Sequence, residues 1–115
     1  MQIKKFNKAE QYVAPNHQEC HSLRLAGFEK KGPENFWLGH SHFLPGGGAG
    51  PDASPLEKVY YILEGELTID VAGKSEIAVK GDTVFIAGGE NREIRNKTNE
   101  IVRMLVVMPY PPKEG

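Results

Sequence analysis

Only one cysteine, Cys20, occurs in the 115 residues, so no internal disulfide can form and a reducing compartment suits the chain. Excess charge of either sign is equally lacking. Fourteen basic residues against 15 acidic ones give a formal net charge of -1, which leaves no electrostatic footprint for nucleic acid or an anionic membrane. No apolar run approaches the roughly 18 residues of a membrane span. The lysine-bearing start MQIKKFNKAEQ lacks the apolar stretch of a secretory signal, so a cytoplasmic location is expected. Helical periodicity is scarce, and there is no internal repeat, low-complexity tract or domain linker. With these classes set aside, the expected partner is a small molecule or a second copy of the chain. The length fits one domain with a single core.

What the sequence does have is alternation with a period of two, bounded by Gly, Pro, Asn or Asp, the pattern of short half-buried strands. HSLRLAGF (21–28) sets Leu23 and Leu25 on one face and Ser22 and Arg24 on the other; ENFWLGHSHFL (34–44) follows. KVYYILEGELTIDV (58–71, broken at Glu64-Gly65), SEIAV (75–79), DTVFIA (82–87), NREIRN (91–96) and IVRMLVVMPY (101–110) complete the set. PGGGAGPDASP, AGK, KGD, GGE and NKTNE read as the connecting turns. DASPLEK also has the pattern of a capped single helical turn. Many closely spaced strands without a ten-residue helical pattern argue for an antiparallel sandwich or barrel. The first twenty residues and the tail PPKEG fit the pattern least and are expected as arms that pack on a partner subunit.

Two stretches carry a specific resemblance. Gly46 is followed after five residues by Asp52, then Ser54, after three more by Lys58, and after six by Gly65; Gly81 leads to Ala87, Gly89, Arg92 and Asn96. This glycine framework resembles the two motifs of the cupin family, small jelly-roll β-barrels. The resemblance spans about residues 36–110 and implies an all-β jelly-roll cupin barrel. The single domain then covers residues 1–115, with an N-terminal strand or arm over about 1–35. Cupins commonly associate in pairs, so a homodimer is implied too.

The cupin motifs place histidines where Asp52 and Ser54 stand, a glutamate where Lys58 stands and a histidine where Arg92 stands. Ammonium and guanidinium groups have no lone pair for a cation and repel it, so no metal cofactor is expected at the usual positions. A one-residue slip restores Glu57 as a carboxylate but sets Pro51 and Ala53 at the histidine positions, which offers fewer ligands still. Asp52, Lys58 and Arg92 would converge inside the barrel, and buried charge there must find a partner. One reading is a structural Asp52–Lys58 ion pair with Arg92 at the rim. The other is a pocket for a carboxylate or phosphate, with Arg92 as a bidentate fork, Lys58 as a point charge and Ser54 and Glu57 among the ligand-binding groups. A desolvated lysine beside another cation also becomes a base or amine nucleophile near neutral pH. Tyr60, two residues on, faces the same way as Lys58.

His40 and His42 in GHSH share a strand face and, if turned inward, would form a displaced site for a divalent transition metal with Asp52 or Glu57. His17, Cys20 and His21 in HQECH read as a polar loop. Trp37, the single tryptophan, either stacks a ligand or fills core or interface. Three functions follow. A metal-free isomerase, epimerase or lyase would use Lys58, Asp52 and Tyr60 for proton transfer, with Arg92 holding the substrate's anion. A binding module would hold the ligand without turnover. A dioxygenase-like enzyme would need the metal at His40 and His42.

Overall fold

A computed structural model describes residues 1–112. Among them, after one 3-10 turn at Phe6–Lys8, run nine strands: β1 (Glu10–Tyr12), β2 (His17–Ala26), β3 (Trp37–Asp52), β4 (Lys58–Glu64), β5 (Glu66–Val71), β6 (Lys74–Val79), β7 (Thr83–Ile86), β8 (Arg92–Arg95) and β9 (Val102–Met108). All pairings are antiparallel, in the order β6-β5-β8-β3-β9-β4-β7, with β2 laid along β3 and β1 along β2. β3 holds the jelly-roll barrel together. Its first half, Trp37 to Phe43, pairs with β9; its second half, from Gly48, pairs with β8. One strand thus belongs to both halves of the barrel, and the space between them is the core.

Alternation decides what enters that core. Phe43, Ile62, Leu67, Ile94, Val102 and Met104 are fully or almost fully buried, each on the inward beat of its strand. Among the described residues, no helix is long and apolar enough to cross a membrane.

Three expectations are corrected. The run from Gly46 to Asp52 is strand, where turn chemistry was expected. Gly48 faces the backbone of β8, and a Cβ there would press into the Ile94 carbonyl and lie 3.0 Å from the Arg95 Cα, so this glycine answers to close strand approach. DASPLEK forms no helical turn; after β3 ends at Asp52, Ser54 Oγ accepts a hydrogen bond from Leu56 N (3.1 Å) and closes a local bend. Nor is the whole N-terminal stretch a detached arm, because β2 begins at His17 and pairs with β3 from Ala49 back to Leu38. Of the tail, Lys113 to Gly115 lie outside the described residues.

Candidate functional site

β4 enters the site with its beat intact. Lys58, Tyr60 and Ile62 point inward, 7%, 2% and 0% exposed, while Val59 and Tyr61 between them face out. Across the barrel, β8 turns Arg92 and Ile94 inward. Arg92 Nε donates to the Tyr60 hydroxyl oxygen at 2.9 Å, which fixes the guanidinium plane. Its Nη1 is sealed from solvent and, among the described residues, has no hydrogen-bond partner. Nη1 lies against the backbone of β3 at Gly50, where a Cβ would come within 2.8 Å of it. Among the described residues, Lys58 makes neither a side-chain hydrogen bond nor an ion pair.

Asp52 lies opposite Arg92 in the β3–β8 ladder, beyond a register shift. Its side chain is exposed and forms no ion pair with Lys58 among the described residues, so the buried Asp52–Lys58 pair is not formed, and Arg92, 5% exposed, is inside rather than at the rim. Asp52 is still near enough to oppose, weakly, the forces on Lys58. Burial and then the Arg92 guanidinium hold the Lys58 ammonium below its ordinary 10.5, with Asp52 pulling the other way. Tyr60 is pushed above 10.0 by burial, against the favourable charge and hydrogen bond of Arg92. Its hydroxyl is therefore a neutral donor and acceptor through the physiological range.

His17 was missed by sequence reasoning and belongs with this group. Read as part of a polar loop, it instead opens β2, where Glu19 adopts a left-handed φ of 46° at a register shift in the ladder with β3. That bulge splits the HQECH cluster. His17 and Cys20 are half-buried, with Cys20 packed on the core, and His21 is exposed on the other side. His17 Nδ1 lies 2.7 Å from the Pro15 carbonyl oxygen, so the proton sits on Nδ1 and Nε2 keeps its lone pair. Burial lowers its proton affinity; the Pro15 bond opposes this, and Arg92 and Lys58 add to it. The imidazole thus feels both cations. No sequence signal pointed to it, because alternation alone does not reveal the bulge at Glu19.

The remaining expected groups fall elsewhere. Ser54 is half-buried in its own bend, and its carbonyl accepts from Gly89 N at 2.8 Å, tying the two motif loops together. Glu57 is exposed. Trp37 is core, 8% exposed, edge-on to Tyr12 at 5.8 Å and tilted against Phe28 at 5.4 Å, with its Nε1 unpartnered among the described residues. His40 and His42 share a face as their spacing requires, but it is the outer one, because Trp37, Ser41 and Phe43 take the inward beat. His40 lies under the ring of Phe6 (5.4 Å), accepts from Arg103 Nε at 3.1 Å and neighbours His42 and His21. β3 separates it from Lys58 and Arg92, so the displaced site is not assembled.

The barrel interior offers a divalent ion an ammonium and a guanidinium, with one half-buried imidazole that feels both, a set that does not suit it. Among the described residues, no three His, Cys, Asp or Glu side chains are placed together to hold a metal. The arrangement suits an anion: two cations, one donor-acceptor hydroxyl and one neutral imidazole inside a largely apolar barrel.

Comparison with known proteins agrees with the fold. The cupin domain family matches residues 39–108. The chain is 39% identical over 114 residues to a Mycobacterium tuberculosis protein named β-D-galactosidase Rv1717, covering 99% of this chain and 98% of that one. It is 28% identical over 104 residues to the tetracenomycin polyketide synthase protein TcmJ of Streptomyces glaucescens, covering 88% and 70%. Among solved structures, the polyketide cyclase RemF from Streptomyces resistomycificus superposes with a TM-score of 0.85 at 24% identity, over 97% of this chain and 82% of that one.

Proposed function

The chain belongs to the cupin family, and on that footing we propose that its barrel interior binds and transforms a small anionic metabolite, a carboxylate or phosphate, without a bound metal ion. The observation that carries this reading is the Arg92–Lys58 pair. Both cations are more than nine-tenths buried, and among the described residues neither has a carboxylate partner and one guanidinium nitrogen has no hydrogen bond. A buried charge left so is costly, and an anionic ligand is the group that offsets it. Arg92 would grip the anion, Tyr60 would orient Arg92, and Lys58 and His17 would move protons. The single cysteine fits a protein working in the reducing cytoplasm.

Chelator-stripped protein titrated with simple carboxylates and phosphates tests this. A ligand at a hundred times its Kd should raise stability by about 2.7 kcal/mol. Arg92→Met should abolish the gain and Lys58→Met weaken it. If no anion of either class stabilises the stripped protein, or stabilisation appears only after a transition metal is added, the reading is wrong.

A second reading comes from the relative at 39% identity, whose name assigns it β-galactoside hydrolysis. Glycosidases of the usual kind place two carboxylates across the scissile bond, whereas Asp52 and Glu57 here are both exposed and the interior groups are cationic. A chromogenic β-galactoside decides it: turnover lost on Asp52→Asn or Glu57→Gln would favour this reading over the anionic one.

The proposal includes a homodimer. Leu38, Val107, Val59 and Phe85 lie side by side across β3, β9, β4 and β7 on the outer face, and the last three are 39%, 38% and 61% exposed. Such a row invites a second copy. Light scattering should give twice the chain mass, falling to one chain in Phe85→Glu; a monomeric wild type would remove the dimer.

A further inference from the structure

We propose that Lys58 is an amine nucleophile that condenses with the carbonyl of a 2-oxo acid, forming an imine inside the barrel while Arg92 holds the carboxylate. This rests on the anionic reading above and narrows it to one substrate class. The geometry points to it in three ways. Lys58 is 7% exposed and makes no ion pair or side-chain hydrogen bond among the described residues, so its nitrogen is not committed to a structural contact. Among the described residues Arg92 makes one side-chain hydrogen bond, from Nε to Tyr60 at 2.9 Å, and its buried Nη1 makes none, so guanidinium donors remain unspent for a carboxylate. Tyr60 stands two residues from Lys58 on the same face of β4, so a carboxylate on Arg92 sets the adjacent carbonyl carbon on the lysine's side of the barrel.

The step balances within the site. The neutral amine adds to the carbonyl carbon, a C–N bond forms and the C=O π pair moves to oxygen. Nitrogen gives up its two protons in turn, and the oxygen leaves with both as water, so that C=N replaces C=O with no outside oxidant or reductant. His17, whose proton affinity Lys58 lowers, would ferry those protons: Nδ1–H is held by the Pro15 carbonyl, which leaves Nε2 as the accepting nitrogen. Burial and the neighbouring Arg92 favour the uncharged amine that the addition needs. A lysine neutralised by a carboxylate would be a poor nucleophile, and among the described residues Lys58 has no such partner.

The test incubates wild-type protein with pyruvate and sodium cyanoborohydride, then maps the reduced adduct by peptide mass spectrometry. Lactate, an anion of like size without the carbonyl, is the control, and thermal stabilisation by each anion is measured in parallel. The expected result is an adduct concentrated on Lys58, enriched over surface lysines roughly tenfold for each unit by which its pKa lies below theirs. It should be absent in Lys58→Arg, which keeps the charge and the fold, and much reduced in Arg92→Met. Stabilisation by pyruvate and lactate alike, with Lys58 unmodified, would overturn the imine and leave the anionic reading standing. An adduct spread evenly over the exposed lysines would overturn it too. Failure of both anions to stabilise or to label would sink the imine for this class and count against the anionic reading beneath it.

Discussion

Four residues apart on and just past β8, Arg92 and Asn96 are both buried polar side chains, 5% and 0% exposed, and they are served in opposite ways. Asn96 is saturated. Its Nδ2 donates to the carbonyls of Glu100 (2.7 Å) and Phe43 (3.3 Å), its Oδ1 accepts from Thr98 N (3.0 Å) and Thr98 Oγ1 (2.8 Å), and its backbone pairs with Gly46 and Gly47. Among the described residues Arg92 has one side-chain bond, to Tyr60, and an orphaned Nη1. A polar group whose partners all come from the chain is there to hold the chain. A polar group left open in the same barrel is there for something else, and this contrast separates framework from site.

The contrast breaks most visibly at Asn96. Asn96→Ala strips partners from Phe43 O, Glu100 O and Thr98 N at once and should cost about 3 kcal/mol in denaturant unfolding, with anion binding unchanged in whatever fraction remains folded. A loss well under that would mean water replaces the amide, and the framework role would be weaker than its contacts imply. Gly50→Ala should come next, at about 2 kcal/mol, because φ there is +94° and a Cβ would meet the Arg92 carbonyl oxygen at 2.5 Å. That variant alone should damage both regions, lowering stability and displacing the guanidinium, so its anion affinity should fall as well.

Arg92→Met should reverse the sign. Removing a buried cation without a carboxylate partner and filling its space with an apolar side chain should leave stability unchanged or raise it by about 1 kcal/mol, while anion-induced stabilisation disappears. Loss of stability comparable to that of Asn96→Ala would instead make Arg92 a framework residue and remove the main support for the pocket. Gains of this kind at a site are the usual cost of function seen from the other side.

Part of this division was legible in advance. The glycine framework of the two motifs placed Arg92 and Asn96, the resemblance put Lys58 and Arg92 inside the barrel, and alternation put Tyr60 on the face of Lys58. Where the period was broken by backbone geometry, reading failed. Glu19 in a left-handed conformation shifts His17 and Cys20 onto the inner side, and nothing in HQECH announces the bulge. The glycines of β3 looked like turn residues, yet Gly48 sits in a strand, where a neighbouring backbone leaves no room for Cβ. Spacing put His40 and His42 on one face but could not say which, because the deciding beat is set by Trp37 and Phe43 entering the core.

The smallest effect expected is in pH, and it distinguishes the two regions without a severe mutation. His17 and His40 both have proton affinities lowered chiefly by burial, His17 further by Arg92 and Lys58, His40 further by Arg103, His42 and His21. The folded values lie below 6.5 while the unfolded chain titrates near 6.5, so the unfolded state binds more protons in that window. Stability should therefore be complete above about pH 6.5 and fall as pH drops from there through the folded pKa values. His17→Gln should flatten part of that slope, as should wild type with a saturating carboxylate, since an anion between Arg92 and Lys58 screens the repulsion on the imidazolium. Asn96→Ala should shift the midpoint equally at every pH, because nothing among its partners titrates there. A ligand that stabilises the protein yet leaves the acid slope untouched would place the anion away from His17 and uncouple that histidine from the site.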